Sequence, residues 1–456
     1  MVICIQGLGF VGSATCVAVG LAKDKFKKKN FRIVGVEKAT IRGNEIIKKI
    51  NKGVFPFKSS DKKLKHSMKK IKKMGILQAT NSTSIYKKAN IILVSINCDI
   101  IKINGKKKID LANFKSSINE IANKIKENTL IIIESTVPPG TCKKIVYPTI
   151  KSAFLKRNLN PEKIYIAHSY ERVTPGKNYL NSVINNYRVY SGINKKSENK
   201  CKNFFKKIVN VKKYPLYKLN NTNSSELSKL MENSYRAVNI AFIEEWSRLA
   251  EKINVDLFSV IDAIKKRPTH SNLKDPGFGV GGYCLTKDPL MAMLGAKQIF
   301  NIKQDFKFSK LAIKTNSVMP ITTVNKIRHF YNNKLKKIKI LLLGATYKED
   351  IADTRYSPSE FFFNKATSLG AKVKVHDSLI GYWNETKEEI LKKIPNFKNF
   401  DVIVFAVKHN EYKKILFKNK YNKKNFLVVD ANNVLTKKQN KDLKINKFNF
   451  ISIGRG

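Results

Sequence analysis

The chain has 456 residues, enough for about three domains of ordinary size. Hydrophobic residues make up 42% and aromatic residues 10%, which excludes a disordered, collagen-like or disulfide-scaffold protein. Lys and Arg number 88 against 34 Asp and Glu, so the formal net charge is +54. This charge would attract nucleic acid, acidic membrane surfaces or phosphorylated small molecules, or it reflects only a lysine-rich surface. The lysine runs at 27–29 and 106–108 lack interleaved aromatic residues, so we expect no dedicated nucleic-acid site.

The cysteines and the uncharged start of the chain bear on cellular location. Six cysteines form no CxxC pair and have no histidine at zinc spacing, so we expect no metal site and a reducing, cytoplasmic compartment. Residues 2–22 carry no charge, but several glycines interrupt them and no basic segment precedes them. We predict a strand, a turn and a helix there, and no membrane span in the chain.

Short apolar runs alternate with amphipathic stretches in the first half of the chain, as in a parallel sheet covered by helices. The predicted buried strands are residues 2–6, 32–36, 91–96, 130–134 and 163–167, with a helix over 111–126. Residues 226–254 contain no Pro or Gly and repeat apolar residues with a period near 3.6, namely Leu227, Leu230, Met231, Val238, Phe242 and Leu249. This pattern predicts one long helix, with more helix through residue 264.

Sheet patterns return in the last third of the chain. Strands are predicted at residues 339–343, 372–376, 401–407 and 426–429. Between the first two, Ser357 to Glu360 has the sequence of a capping box with Pro358 at the first helical position, and Gly370 supplies the stop. The chain therefore belongs to the α/β class, with two α/β units joined by helices.

A glycine motif follows the first predicted strand. Residues 7–12 (GLGFVG) would let the backbone approach a pyrophosphate at the start of the first helix. Glu37 ends the second strand, where a carboxylate binds ribose hydroxyls and disfavours a 2′-phosphate, although Lys38 weakens this preference for NAD over NADP. The predicted cofactor contacts in this region are Gly7, Gly9, Phe10, Val11, Gly12 and Glu37.

A second glycine-rich segment, residues 276–284 (PGFGVGGYC), ends in the thiol of Cys284. Glycines permit close approach to a bulky ligand, and a thiol near a helix start and a lysine ionises more readily. The alternative is a small buried cysteine after a flexible turn. Asp288 before Pro289 also has an alternative, which is an ordinary helix cap.

Polar residues on the long helix and at strand ends are further candidates. Lys229 and Asn233 share one face, roughly opposite the apolar stripe, where they are either solvent-exposed or able to donate to an oxygen that gains negative charge. Residues 134–141 (ESTVPPGT) and 170–176 (YERVTPG) follow predicted strands, and ligands bind at the carboxyl ends of parallel strands.

Six motifs in order resemble the UDP-glucose/GDP-mannose dehydrogenase family, the nucleotide-sugar 6-dehydrogenases. They are GLGFVG, ESTVPPGT, YERVTPG, KLMENSYRAVNIAFIEEW, PGFGVGGYCLTKDP and GATYKEDIADTRYSPS. The resemblance implies an NAD-binding Rossmann-like domain over residues 1–215, a central helical dimerisation domain over 216–325 and a Rossmann-like nucleotide-sugar-binding domain over 326–456. A homodimer or higher oligomer through the central helix is expected.

The resemblance also implies a chemistry. The C6 alcohol of a UDP-sugar would be oxidised to a carboxylate with two NAD, through a thiohemiacetal and a thioester on Cys284. Lys229 and Asn233 would stabilise the oxyanion, Asp288 with Thr136 would position or deprotonate water, and Glu171 matches a family acid. Ser135 and Thr136 would also contact the cofactor. The implied substrate contacts are Lys229, Asn233, Arg267, Phe278, Gly279, Gly281 and Lys348.

Two departures from the family pattern bear on the substrate. Pro175 stands where the UDP-glucose branch usually has a second glutamate, which favours the branch acting on UDP-N-acetylmannosamine or UDP-N-acetylglucosamine. Asn432 and Asn433 follow Asp430, where many relatives carry an arginine. The alternatives are a UDP-glucose 6-dehydrogenase, a single-step hydroxyacid dehydrogenase, which leaves Cys284 unexplained, and a basic module that binds nucleic acid or acidic surfaces.

Overall fold

A computed structural model describes residues 1–22, 31–173, 175–417 and 425–456. The lysine run at 27–29 and Thr174 lie outside these residues. The chain divides into two compact units. Unit 1 comprises Met1–Glu232 and Leu290–Asp305, and unit 2 comprises Asn233–Pro289 and Phe306–Gly456.

Unit 1 contains an eight-stranded sheet with the strand order β10-β9-β8-β7-β4-β1-β2-β3, in which every neighbouring pair except β8–β9 is parallel. A separate antiparallel hairpin is formed by β5 and β6. The strands are β1 (Val2–Gln6), β2 (Arg32–Val36), β3 (Leu77–Thr80), β4 (Ile91–Val94), β5 (Asp99–Ile103), β6 (Lys106–Asp110), β7 (Leu130–Ile133), β8 (Tyr165–His168), β9 (Val189–Gly192) and β10 (Tyr217–Lys218). The central strands β4, β7 and β8 are buried along their whole length, which accounts for their continuous apolar sequence.

Within the described residues, seven α-helices lie between the strands of unit 1. They are α1 (Phe10–Leu21), α2 (Ile41–Asn51), α3 (Lys62–Lys73), α4 (Ala112–Ala122), α5 (Tyr147–Lys156), α6 (Tyr179–Ile184) and α7 (Lys195–Phe205). In α1, every residue from Gly12 to Gly20 is buried, so the uncharged start of the chain is a strand and a core helix, as predicted. Among the helices of the described residues, none is long and apolar enough to cross a membrane.

The second sheet has five parallel strands in the order β12-β11-β15-β16-β17, within unit 2. Its strands, with the short antiparallel pair β13–β14, are β11 (Lys339–Leu343), β12 (Lys372–His376), β13 (Tyr382–Trp383), β14 (Glu388–Glu389), β15 (Val402–Phe405), β16 (Leu427–Asp430) and β17 (Asn449–Ser452). The helices from the long one onward are α8 (Thr222–Lys252), α9 (Leu257–Ile264), α10 (Asp288–Phe300), α11 (Lys307–Phe330), α12 (Pro358–Ser368) and α13 (Lys437–Ile445). The two parallel sheets confirm the predicted α/β class.

The start of α12 differs from the predicted capping box. The Ser357 hydroxyl accepts the N–H of Ser359 at 3.3 Å, whereas the Glu360 N–H bonds the Ser357 carbonyl at 3.0 Å. A capping box requires the Glu360 N–H to reach the serine side chain, so that prediction is wrong. Pro358 does occupy the first helical position, and Gly370 adopts φ +85° just after the helix ends.

The long helix α8 exposes much of its apolar stripe and buries polar residues on the opposite face, which is the reverse of an ordinary surface helix. Met231 is 69% exposed and Phe242 is 48% exposed, although both lie on its apolar stripe. Lys229 and Asn233, on the opposite face, are only 8% and 4% exposed. The solvent-exposed alternative for these two polar residues is therefore wrong, because α8 packs its polar side inward.

Candidate functional site

The first glycine motif forms a tight turn between β1 and α1. Gly7 has φ +89°, and a Cβ atom there would lie 2.6 Å from the Ser95 carbonyl oxygen. A Cβ on Gly12 would lie 1.9 Å from the Gly7 carbonyl oxygen, so these two glycines are required by packing. A Cβ on Gly9 would meet nothing within 4 Å, and no side chain caps α1 at this residue. The exposed backbone at Gly9 and the uncapped helix start fit the phosphates of a dinucleotide.

Glu37 lies beside this turn, as predicted from the end of β2. Its carboxylate accepts the N–H of Leu8 at 2.6 Å and the N–H of Lys38 at 3.0 Å. The Lys38 ammonium instead donates to Asn113 at 2.6 Å. Glu37 therefore borders the glycine turn while the neighbouring cation is engaged elsewhere, an arrangement that suits the ribose hydroxyls of NAD.

The segment after β7 carries Ser135 and Thr136. The Ser135 hydroxyl accepts the N–H of Ile96 at 2.8 Å and is buried, whereas Thr136 is partly exposed. Two residues further on, Pro138 contacts α10, because a Cβ on Gly295 would lie 2.3 Å from the Pro138 Cβ. This packing fixes the segment that presents Thr136.

Glu226, near the start of α8, holds the far end of the same segment. Its carboxylate is fully buried and accepts the N–H groups of Gly140 and Cys142 at 2.7 and 2.8 Å. Burial raises the pKa of Glu226 to about 7, although these N–H donors favour the ionised form. Glu226 was not predicted as a site residue. In the sequence it is only a glutamate one turn before Lys229, on a helix face expected to contact solvent.

Lys229 and Glu171 lie together in unit 1. The Lys229 ammonium donates to the Glu171 carbonyl oxygen at 2.9 Å and lies 3.9 Å from the carboxylate. It also lies 5.4 Å from the ring centroid of Tyr170. Tyr170 was not predicted as a site residue, and its aromatic face adds a cation–π contact to the nearly buried ammonium.

Asn233, Asp288 and Cys284 lie together in unit 2. The Asn233 amide donates to one Asp288 oxygen at 2.7 Å, and the Lys287 ammonium contacts the other at 2.9 Å. Asp288 is fully buried, and its own N–H donates to the Cys284 carbonyl at 2.9 Å. The carboxylate therefore lies one turn after the thiol, with both oxygens engaged. Lys287 was missed as a member of this cluster.

Cys284 differs from the other five cysteines in its exposure. All six cysteines lie in the described part of the chain, and five of them are buried. Burial raises the pKa of the Cys4 thiol to about 12 and those of Cys16, Cys142 and Cys201 well above the ordinary value. Cys284 is exposed, so the alternative interpretation, that it is a small buried cysteine after a flexible turn, is wrong.

The glycines before Cys284 are closely packed against other residues of unit 2, and the ligand contacts predicted for Gly279 and Gly281 stay predictions. A Cβ on Gly279 would lie 2.9 Å from Pro358, and one on Gly281 would lie 2.6 Å from the Tyr347 Cβ. A Cβ on Gly282, at φ +81°, would lie 2.7 Å from the Tyr347 ring. These glycines let the loop lie against residues that follow β11.

The remaining predicted substrate residues are all in unit 2 and have different surroundings. The ring of Phe278 is 2% exposed and packs on Phe362 with centroids 5.7 Å apart, so only its backbone is available to a ligand. Arg267 is exposed just after α9. Lys348 is partly buried in the loop after β11. Their contacts with substrate stay predictions.

Three successive segments match domain profiles of one protein family. Residues 1–209 match the NAD binding domain of the UDP-glucose/GDP-mannose dehydrogenase family, 223–318 its central domain and 341–437 its UDP binding domain. The chain belongs to this family. It is accordingly an NAD-dependent dehydrogenase of nucleotide sugars, which confirms the predicted family, enzyme class and cofactor.

Several relatives and solved structures are similar over nearly the whole chain. The UDP-N-acetyl-D-mannosamine dehydrogenase of Methanocaldococcus jannaschii is 32% identical over 95% of this chain and 93% of its own length. The UDP-glucose 6-dehydrogenase of Rickettsia prowazekii is 28% identical over 90% of this chain and 91% of its own length. The solved structure of UDP-D-ManNAc dehydrogenase from Pyrococcus horikoshii is 26% identical, with a TM-score of 0.82 and full coverage of both chains.

We predict that Glu226 makes stability depend on pH. A carboxyl whose folded-state pKa is raised to about 7 favours folding while protonated, and this contribution falls as pH rises from the unfolded pKa through the folded one. From pH 5 to pH 8, the free energy of unfolding of wild type should fall by at most about 3 kcal/mol relative to that of Glu226→Gln. Urea unfolding at several pH values measures this difference.

The protonated carboxyl at pH 5 and the glutamine amide each carry one carbonyl acceptor and no charge, so Glu226→Gln should be close to wild type in stability at pH 5. Glu232→Gln, which alters a partly exposed carboxylate on the same helix, is the matched control. Parallel pH profiles for wild type and Glu226→Gln would contradict the prediction.

Proposed function

We propose that the protein is a UDP-N-acetyl-D-mannosamine 6-dehydrogenase that forms the uronic acid through covalent intermediates on Cys284. The observation that supports this most strongly is an exposed thiol one turn before a buried carboxylate that is bonded to Asn233. The sugar is proposed from the relatives with that name, which reach 32% identity, and from Pro175 in place of the second glutamate.

Each oxidation removes a hydride and a proton from the sugar. NAD supplies the hydride acceptor when bound beside the glycine motif. In the first step, the C6 alcohol loses its hydride from carbon and its proton to a base, which gives the aldehyde. The Cys284 thiolate then adds to the aldehyde carbon, and the oxygen becomes the hydroxyl of a thiohemiacetal. A second hydride and proton loss gives the thioester.

Water completes the reaction by adding to the thioester carbonyl and expelling the Cys284 thiolate, so two NADH form for each acid. Ammonium and amide donors such as Lys229 and Asn233 are suited to an oxygen that gains negative charge. Asp288 with Thr136 would orient or deprotonate the water. Glu171 is held close to the Lys229 ammonium, which makes it a further candidate for moving a proton.

A second candidate substrate is UDP-glucose, because the Rickettsia prowazekii relative that carries that name is 28% identical. Purified protein with NAD and a panel of UDP- and GDP-sugars, scored for NADH, separates these possibilities. UDP-N-acetylmannosamine should give the highest kcat/KM. A higher value with UDP-glucose would replace the proposed substrate, and no NADH with any sugar would refute the proposed function.

We predict that Cys284→Ser releases less than about 1% of the wild-type amount of uronic acid per unit time, because a serine hydroxyl is a far weaker nucleophile than a thiolate. NADH and acid should be quantified together, and wild type should give two NADH per acid. Cys98→Ser, at a buried thiol, is the control and should retain activity. Wild-type acid production by Cys284→Ser would exclude the covalent route.

We also propose that two copies of the chain associate through the apolar side of α8. This helix exposes an aliphatic and aromatic stripe over about seven turns, which is unusual for a surface in contact with water. The residues of the stripe are Leu227 (44% exposed), Met231 (69%), Tyr235 (53%), Phe242 (48%), Trp246 (50%), Leu249 (48%) and Ile253 (58%).

We predict that Phe242→Glu with Trp246→Glu shifts the protein from dimer to monomer, because two carboxylates would have to be buried in the interface. Light scattering after size-exclusion chromatography measures the mass. Arg236→Glu, a charge reversal at an exposed residue of the same helix outside the stripe, is the control and should leave the dimer intact. A monomeric wild type, or a dimeric double variant, would contradict the proposed interface.

The cellular compartment follows from the thiols. Cys284 is exposed and assigned to catalysis as a thiolate, and a reducing environment protects such a thiol from oxidation. We therefore propose that the enzyme works in the cytoplasm.

A further inference from the structure

Two buried side chains meet at the carboxyl edge of the second sheet. Asp377 directly follows β12, and His409 lies four residues after β15. They are 0% and 2% exposed, and the His409 Nε2 lies 3.1 Å from an Asp377 carboxylate oxygen. The proposed reaction assigns no role to either residue.

Asp377 organises the loop that follows β11. The same carboxylate oxygen accepts the N–H groups of Ala345 and Thr346 at 3.0 and 3.1 Å. In unit 1 the corresponding turn leaves the backbone at Gly9 exposed. In unit 2 the Asp377 carboxylate accepts the corresponding backbone N–H groups, so a side chain of the protein itself stabilises this loop.

His409 connects Asp377 to the middle of the loop. The Asp350 N–H donates to the His409 Nδ1 at 3.1 Å, so Nδ1 is unprotonated and the proton is on Nε2, which faces Asp377. The Thr346 hydroxyl lies 3.2 Å from Nε2 and donates to the Lys348 carbonyl at 3.2 Å. One imidazole therefore fixes both ends of residues 346–350.

The backbone of this segment needs such support. Asp350 adopts φ +56°, in the left-handed region that side chains other than glycine rarely occupy. Its carboxylate accepts the Asn410 amide at 2.7 Å, from the residue next to His409. A strained conformation of this kind persists when its surroundings determine it, and here they do so through His409 and Asn410.

Two of the residues held between these ends bear on the proposed reaction. Lys348 is the lysine that, by resemblance, reaches the nucleotide sugar. The Tyr347 side chain packs against Gly281 and Gly282, in the loop that ends at Cys284. Any shift of residues 346–350 would therefore move a substrate contact and the support of the nucleophile loop together.

We propose that His409 is a positioning residue for the nucleotide sugar, holding residues 346–350 so that Lys348 meets the substrate. This inference rests on the proposed function, because the role of Lys348 comes from the family resemblance. His409 does not itself contact the reacting atoms. Its effect should appear in sugar binding and leave NAD binding unchanged, since the glycine motif at residues 7–12 lies in unit 1.

The test compares His409→Phe with His376→Phe in the full-length protein. His376 is a matched control because it is a buried histidine beside the same cluster, with its Nδ1 3.0 Å from the Tyr412 hydroxyl. We expect His409→Phe to raise KM for UDP-N-acetylmannosamine about tenfold, the loss expected for one or two buried hydrogen bonds, with KM for NAD unchanged. His376→Phe should leave the ratio of the two KM values as in wild type.

His409→Asn keeps an acceptor near the Nδ1 position and should recover part of the loss. If His409→Phe does not fold, Thr346→Val removes the hydroxyl that links His409 to the Lys348 carbonyl and should raise the KM for the sugar selectively, by about threefold. A wild-type KM in the His409 variants, or equal rises in both KM values, would overturn the positioning role.

Calorimetry with UDP alone separates this inference from the proposed function. If wild type makes no NADH from any nucleotide sugar, the proposed function fails, and the His409 inference is then decided by UDP affinity. Weaker UDP binding by His409→Phe than by His376→Phe supports the inference. Equal UDP affinity of these two variants contradicts it.

Discussion

The structure depends on a polar helix face that is buried. Polar side chains removed from water cost several kcal/mol unless each finds a partner, and the buried polar residues of α8 include two glutamates, a lysine and an asparagine. Glu226 meets the N–H groups after Gly140, Lys229 meets Glu171, Asn233 meets Asp288, and Glu244 meets Arg248. The need to satisfy these groups fixes the loops opposite the helix, and three of those loops carry proposed site residues.

Short apolar runs that form strands were the best predicted part of the fold, because such runs are typical of a parallel sheet covered by helices. The predicted bounds of β1, β2, β11 and β12 agree with the structure to the residue. The hairpin of β5 and β6 was missed although Asn104 and Gly105 both have positive φ, as a two-residue hairpin turn requires. Its lysines conceal the alternation that marks a strand.

The site was predicted less completely than the fold, since sequence spacing identifies residue types but does not say what each one touches. Residues 7–12 and 276–284 both read as glycine-rich ligand loops. Only Gly9 leaves open space for a ligand, whereas Gly281 and Gly282 accommodate Tyr347. Glu226 and Tyr170 act through neighbours distant in sequence, so only the folded chain reveals them. Lys287 contacts its sequence neighbour Asp288, but the sequence alone does not show that its ammonium reaches that carboxylate. The stripe on α8 was recognised, but its exposure follows from packing that no local pattern encodes.

The central claim is that the oxidised sugar carbon becomes bonded to the Cys284 sulfur. Quenching the enzyme in acid during turnover with NAD and UDP-N-acetylmannosamine, followed by intact-mass and peptide mass spectrometry, tests it most directly. The account predicts a transient mass increase equal to the acyl form of the nucleotide sugar, confined to the peptide that contains Cys284. Acid formation at a normal rate without any adduct on that peptide, or an adduct elsewhere in the chain, would contradict it.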